Sequence, residues 1–167
     1  MAKSITTGVA GNSDATLRAS LLKLQSACTD FLLSTGGLAI KAGGGVLVKA
    51  ATLCKAWVDG TLISIAANTD MAALAGTVTN ATFNVFVFTI SSAGTVYTQM
   101  GTAGATLGAV VFPTIAADRA VIGFVIINPT GTGNFVGGTT ALDDATVVPN
   151  AVYVNTPFPW NPNTLSL

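Results

Sequence analysis

The densest run of apolar residues in the chain predicts a strand that is buried on both faces. Residues 83–90 read Phe-Asn-Val-Phe-Val-Phe-Thr-Ile. At a period of two, the odd-numbered residues form one face, led by Val85 and Val87, and the even-numbered residues form the other, led by Phe86 and Phe88. Because both faces are mostly apolar, we expect this strand at the centre of a sandwich or barrel, or between a sheet and a neighbouring subunit.

A heptad-like spacing of apolar residues predicts one amphipathic helix over residues 15–34. Asn12, Ser13 and Asp14 offer N-caps before it, and two glycines follow its end. The apolar positions recur at intervals of four, three, four and three: Leu17, Leu21, Leu24, Cys28 and Phe31. A seam of this length is too short for an independent coiled coil, so the helix either lies against the β body or packs on symmetry mates around a three-fold axis.

Alternating residues around short turns predict three hairpins after the helix. Residues 53–58 and 61–66 flank Asp59-Gly60, a pair that favours a type I′ turn because both central residues accept positive φ. Residues 38–42 and 46–50 flank three consecutive glycines, and the central strand continues through Gly94 into a partner strand. These hairpins predict antiparallel pairing.

The remaining segments complete a mainly β pattern. Further strands are predicted at residues 109–112, 120–127 and 151–154, one capped helical turn at residues 68–74, and a loop at residues 130–140. Since 167 residues suit one domain, the predicted fold is an antiparallel β-sandwich or jelly-roll-like body.

Domain boundaries follow from this pattern. The body is predicted at residues 38–155, after an N-terminal arm and helix at residues 1–37 and before an extended, proline-rich tail at residues 156–167. The tail cannot be a helix or a central strand, because prolines interrupt it. It carries Phe158 and Trp160, which we expect to dock in a groove of the same subunit or of a neighbour. Trp57, beside the Asp-Gly turn, fits the core better than the rim.

The chain carries few charges, and they are unevenly placed. Only 8% of residues are charged, against about 25% in an average globular protein, which favours a surface covered in part by partners. Residues 1–55 hold six basic and two acidic residues, and the remainder holds one basic and five acidic residues. This separation is either scatter or a sign that the N-terminal third faces an acidic surface.

Several kinds of chemistry lack the residues they need. The chain has no histidine and no glutamate, and its two cysteines are too far apart in sequence for a zinc site. Asp143 and Asp144 are simplest as turn residues, because a calcium site would need further oxygen ligands. We therefore predict no enzymatic activity, no cofactor and no metal. Seven basic residues without interleaved aromatics argue against nucleic-acid binding.

Membrane insertion and secretion are not predicted either. Residues 71–117 carry no charge, but polar residues keep every apolar run below the roughly 18 residues that a membrane helix needs. The first eight residues contain one lysine and no apolar run. A secretion signal has such a run, so we expect synthesis and assembly in the cytoplasm of a cell.

A set of short segments within residues 55–155 has a particular order and spacing. The segments are residues 57–60, 66–76, 83–88 with 92–95, 112–113 with 117–123, and Phe135 with Leu142. In this order the chain resembles small structural proteins of tailed-bacteriophage virions, which decorate or cement the head or form short head fibres. The resemblance implies a β-rich, commonly trimeric, non-enzymatic protein that is mounted on the capsid through its N-terminal region.

The functional prediction is a virion protein that binds the major capsid protein as an oligomer, with a trimer favoured. The apolar seam of the predicted helix, together with Phe158 and Trp160, supplies the predicted oligomer or capsid contacts. The alternative is a receptor- or glycan-binding fibre module, for which Trp57, Trp160 and Asn134 are candidates. A glycan hydrolase would need a carboxylate pair, and no pairing is visible in the sequence.

Overall fold

The computed structural model describes residues 15–18, 21, 29–41 and 45–156, and it confirms a mainly β, sandwich-like fold with one N-terminal helix. Residues 15–18, 21 and 29 are helical, and a short 3₁₀ helix spans Leu107–Ala109. The described part holds twelve strands: β1 Asp30–Ser34, β2 Leu38–Ile40, β3 Val48–Ala50, β4 Cys54–Val58, β5 Thr61–Ile65, β6 Thr69–Asp70, β7 Thr77–Val78, β8 Asn84–Ser91, β9 Val96–Met100, β10 Arg119–Ile127, β11 Phe135–Val136 and β12 Val152–Asn155.

The described strands form four antiparallel sheets around one main core. The largest sheet has the order β12-β10-β8-β9, and a three-stranded sheet β1-β4-β5 packs over it. A second three-stranded sheet, β2-β3-β6, and the pair β11-β7 contribute further side chains to the same core. The predicted sandwich is therefore assembled from one large and several small sheets.

The strand predicted to be central, β8, is buried along its whole length. Phe86, Phe88 and Ile90 point into the main core, where the Phe86 ring meets the Phe135 ring edge to face at a centroid distance of 6.0 Å. Val85 and Val87 belong to a second, smaller cluster on the opposite face. The predicted assignment of side chains to the two faces is confirmed.

The second face of β8 is covered by the same chain. The segment between β9 and β10 covers this face. Its residue Ile115 packs against Val85 and Val87, and its residue Phe112 meets Phe124 edge to face at 5.1 Å between ring centroids. Val87 is fully buried within a single chain. A neighbouring subunit is therefore not needed to cover this strand, and that alternative reading of the sequence is wrong.

A buried asparagine fastens the covering segment to β8. The Asn84 side chain is fully buried, and its amide group donates to the carbonyl oxygen of Gly101 at 3.1 Å. Its carbonyl oxygen accepts from the Val85 backbone N–H at 2.8 Å, and the Gly101 N–H donates to the Val85 carbonyl oxygen at 2.8 Å. Because these buried polar groups are paired, the asparagine can occupy an otherwise apolar strand.

A β-bulge in β10 changes which residues of that strand face each cluster. The pairing of β10 with β8 shifts between Val121 and Gly123. Ala120, which precedes the shift, faces the main core, and Val125, which follows it, does so too, although the two are an odd number of residues apart. The extra residue changes the phase of the alternation, as a bulge does.

The hairpins follow the predicted turn chemistry. Asp59 and Gly60 have φ of 46° and 74°, as a type I′ turn requires, and they join β4 to β5. Gly94, with φ of 79°, lies in the turn between β8 and β9. The pairing of β2 with β3 confirms the hairpin predicted around the glycine triplet.

Four local predictions are wrong, and three of them fail where a distant strand decides the local structure. The predicted helix is too long, because Asp30–Ser34 forms β1 and pairs with β4. Thr69–Asp70 is a strand on β3 instead of part of a helical turn. Residues 109–112 contain one bridge, Thr102 to Val111, instead of a strand. Phe135–Val136 is paired with β7, and Phe135 is fully buried instead of lying in a loop.

The bulge gives a test of the packing between β10 and its neighbours. A Cβ atom at Gly123 would overlap the Val154 carbonyl oxygen and approach the Leu38 side chain to 2.7 Å. We expect Gly123→Ala to lower the free energy of unfolding in urea by about 1–3 kcal/mol, because overpacking forces the backbone to move. Gly108→Ala is the control, since no atom lies within 4 Å of its Cβ position; equal losses in both variants would contradict the close approach.

Candidate interaction surface

The sheet β1-β4-β5 has one face in the core and one face in solvent. Cys54, Ala56 and Val58 of β4 are buried, whereas Lys55 and Trp57 between them are exposed. This alternation is the pattern expected for a sheet packed on one side. We call the exposed side the outer face; its residues are Phe31, Leu33, Ser34, Lys55, Trp57, Leu62 and Ser64.

An apolar row crosses all three strands on the outer face. Phe31 lies opposite Trp57 in the pairing of β1 with β4, and Trp57 lies opposite Leu62 in the pairing of β4 with β5. Trp57 is 37% exposed and Leu62 is 51% exposed, while Phe31 is partly buried. Directly opposed residues in an antiparallel sheet share a face, so these three side chains form a continuous strip.

The next row on the outer face is polar. Ser34 and Ser64 lie opposite Lys55 from its two sides. The bulge in β1 leaves Leu33 beside this row, with half of its side chain exposed. The outer face is therefore an aromatic and aliphatic strip bordered by hydroxyl groups and one ammonium group, the composition of an interface core with a polar rim.

Hydrogen bonds at both ends hold β1 in place. The Asp30 carboxylate accepts from the Asp59 backbone N–H at 3.0 Å, which ties the start of β1 to the β4–β5 turn. At the other end the Ser34 hydroxyl oxygen accepts from the Lys55 backbone N–H at 2.9 Å and satisfies the donor that the bulge would otherwise leave unpaired. The apolar row is thus carried by a fixed platform.

The exposed area of this strip is unusual for a polar surface. A fully exposed leucine or tryptophan presents roughly 150–250 Å², so the exposed fractions of Trp57 and Leu62, together with that of Leu33 beside the polar row, sum to on the order of 300 Å². Patches of about 300–600 Å² are the largest on a typical monomer and are often functional. This surface is accordingly the strongest candidate for binding among the described residues.

The structure brings only one predicted contact residue into this strip. Phe31 lies in it, but as a strand residue instead of a helix residue. Leu17 is partly buried and Leu21 is 55% exposed, both in the helical part before β1. The other predicted contacts lie outside the described residues: Leu24, Cys28, Phe158 and Trp160.

Two residues of the strip do not follow from the sequence-based expectations. Trp57 is predicted for the core, and its exposure shows that prediction to be wrong. Leu62 is not among the predicted contacts. The sequence does contain information that places Leu62 beside Trp57. A two-residue Asp-Gly turn puts these two residues directly opposite each other, and Ile63 and Ile65 lie on the other face of β5.

The other residues considered as candidates for binding or catalysis are unreactive or hold the fold together. Burial raises the pKa of the Cys54 thiol to about 11, so it is protonated and unreactive at neutral pH. The Asn134 side-chain oxygen accepts from the Asn80 backbone N–H at 2.9 Å and holds a loop. Within the described ranges, no group of three or more Cys or Asp side chains could hold a metal ion, and the helical segments there lack the length and hydropathy of a membrane span.

Comparisons with known proteins add no constraint to this surface. The chain matched no protein-family model, no curated protein and no solved structure. The resemblance to small phage virion proteins therefore stays a prediction from the sequence. The function has to be inferred from the geometry and chemistry of the outer face.

The carboxyl group that ties β1 to the turn gives a pH-dependent test. Burial is the main cause that raises the pKa of Asp30, and the charges of Asp59 and Asp118 add to it. A raised pKa in the folded state means that ionised Asp30 costs stability above its ordinary pKa of 3.8, a cost that disappears at lower pH. We expect Asp30→Asn, which keeps the acceptor oxygen, to gain stability relative to the wild type between about pH 3 and pH 7.

Asp144 provides a control of opposite sign. Hydrogen bonds from the Thr146 hydroxyl and backbone N–H lower the pKa of Asp144, so its ionised form stabilises the fold above pH 3.8, and this contribution is lost as the pH falls. Asp144→Asn should therefore lose stability relative to the wild type between about pH 3 and pH 7. Urea unfolding at several pH values measures the stability of both variants relative to the wild type. If this difference changed with pH in the same direction for both variants, the opposite pKa shifts of Asp30 and Asp144 would be contradicted.

Proposed function

We propose that this protein is a non-enzymatic structural component of a bacteriophage virion. It binds the major capsid protein as a homo-oligomer, with a trimer favoured, and so decorates or cements the capsid. The contact surface in this proposal is the outer face of the sheet β1-β4-β5. The apolar row across that sheet is the observation that carries the proposal.

The apolar row supports an interface because it lies on the solvent side of the sheet, where the neighbouring row is polar. Lys55 and the two serines beside it keep the neighbouring row polar, as water requires. Trp57 and Leu62, in contrast, expose apolar side chains to water. Tryptophan is enriched among residues that dominate binding energy, particularly where a ring of polar groups excludes water around it. A rigid sheet also binds without the entropy cost of ordering a loop.

A helical residue before β1 adds an exposed apolar side chain to the N-terminal part of the chain. Leu21 is more than half exposed, and the helical residue 29 is followed directly by Asp30 and Phe31 of β1. Apolar side chains are therefore accessible both on a helical residue and on the edge strand of the sheet. This arrangement suits packing about a symmetry axis, where copies of one segment meet.

The low charge and the sequence resemblance point the same way. With 8% charged residues, the chain lacks the charge density that keeps typical free monomers soluble. The resembled virion proteins are β-rich and commonly trimeric, which is compatible with the mainly β fold. The proposal therefore combines one geometric observation with two properties of the sequence.

The decisive experiment separates the apolar row from other exposed apolar residues. We expect the full-length wild type to be a trimer by light scattering at micromolar concentration and to co-sediment with capsids of its phage. The double variant Trp57→Thr/Leu62→Thr should reduce trimer formation or capsid binding at least about tenfold, because it removes the exposed apolar strip while keeping β-branched residues in the strands. Val111→Thr is the control, since Val111 is 60% exposed but lies outside the sheet.

The variants are expected to fold, because substitutions at exposed positions typically change stability by less than about 0.5 kcal/mol. Thermal unfolding checks this. A wild type that stays monomeric at micromolar concentration and does not bind capsids would overturn the proposal. Equal losses in the double variant and in Val111→Thr would remove the outer face from it. A ligand on a glycan array, with binding unaffected by the double variant, would favour the fibre-module alternative.

A further inference from the structure

A groove lies between the loop that precedes β12, β12 itself and β2. Its volume is about 410 Å³, within the range of about 300–1,000 Å³ typical of ligand sites. Seven of its ten lining residues are apolar, and the polar ones are Asp143, Asn150 and Tyr153. None of its lining residues belongs to the outer face, so binding in this groove does not depend on the proposed function.

Asp143 is the one charged residue among those that line the groove in the described part of the chain. Asp143 is exposed at the rim and Tyr153 is half-buried. Asp143 and Tyr153 line the same groove, and burial, and secondarily the negative charge of Asp143, raise the pKa of Tyr153. None of the ten lining residues is a lysine or arginine, and the adjacent Lys41 side chain is paired with Asp70.

The loop that carries Asp143 is fixed on both sides. Leu142 and Val148 are buried in the main core. The Leu142 N–H donates to the Gly45 carbonyl oxygen at 2.9 Å, and the Val148 N–H donates to the Asp144 carbonyl oxygen at 2.7 Å. The Asp144 carboxylate accepts from the Thr146 N–H at 2.9 Å and so closes the turn. Asp143 is therefore held at the rim before any ligand arrives, which reduces the entropy cost of binding.

We propose that this groove receives a lysine or arginine side chain of a partner protein. The aliphatic stem would lie along the apolar wall, and the cationic group would meet the Asp143 carboxylate beside the Tyr153 ring. Basic side chains bury their stems on apolar surface and keep the charge at the rim, and an aromatic ring adds attraction for a cation.

The lining distinguishes this ligand from the alternatives. A saccharide needs several hydrogen-bonding groups around it, but seven of the ten lining residues are apolar. The groove is also open to solvent on one side, so a free amine would stay largely hydrated. A basic side chain that arrives on a protein is covered by the rest of its own chain, which makes the pairing with Asp143 stronger than in bulk water.

The test uses nuclear magnetic resonance titration of the ¹⁵N-labelled full-length protein with small probes. The probe is the capped tripeptide acetyl-Ala-Lys-Ala-amide, and the matched neutral probe is acetyl-Ala-Gln-Ala-amide. We expect the lysine peptide to shift resonances of residues 142–153 at millimolar concentration and the glutamine peptide to bind at least about fivefold more weakly, as expected for an ion pair with an added cation–π contribution.

Two variants assign the effect to the groove. Asp143→Asn should weaken binding of the lysine peptide about fivefold, because it removes the charge and keeps the shape. Asp59→Asn is the control, since Asp59 is also an exposed aspartate but lies in the β4–β5 turn. Tyr153→Phe should keep binding, and Tyr153→Leu should weaken it, because only the first retains an aromatic ring.

Four results would overturn the proposal. They are equal binding of the lysine and glutamine peptides, unchanged binding by Asp143→Asn, stronger binding of methyl glucoside than of the lysine peptide, and binding of n-butylammonium without binding of the peptide. The last result would identify a site for small amines instead of a protein side chain. Selective binding of the lysine peptide that is lost in Asp143→Asn and kept in Asp59→Asn would support it.

Discussion

The burial of β8 on both faces is the constraint on which the rest of this structure depends. Phe86 and Phe88 lie on one face of this strand, and Val85 and Val87 lie on the other. Other parts of the protein must therefore pack against each face to bury these side chains. The main core supplies one, built with the sheet β1-β4-β5 and the smaller sheets. The connecting segment between β9 and β10 supplies the other, and the buried amide of Asn84 fastens that segment to the strand. Both faces of β8 are therefore covered by residues of the same chain.

The same constraint acts on β10, where a bulge changes which residues meet it. β10 lies beside β8 over nearly its whole length, so it must also place apolar side chains on both faces. A regular strand of this length would keep one phase of alternation throughout. The shift near Gly123 instead returns Val125 and Ile127 to the main core while Phe124 joins the second cluster. Glycine suits the position because β12 and Leu38 approach its backbone closely.

The features that could be predicted from the sequence are those encoded locally. The alternation in residues 83–90 located β8 and its two faces, and Asp59-Gly60 located the β4–β5 turn through the requirement for positive φ. Most failures occur where distant strands decide the structure. Asp30–Ser34 fits a helix seam, but its backbone pairs with β4, so Phe31 reaches the outer face through its register with Trp57. Trp57 itself is misplaced although the alternation within β4 indicates the correct side, because Trp57 shares a face with Lys55 while the opposite face is wholly apolar.

The outer face is interpreted as an interaction surface because its two rows of side chains differ in polarity. Both rows belong to one sheet, lie on its solvent side and arise from the same alternation. In one row the strands place two serines around Lys55, and in the other they place Phe31 and Leu62 around Trp57. The three side chains of the second row do not belong to either core cluster. In the function proposed above, their apolar character reflects a surface that a partner covers after folding.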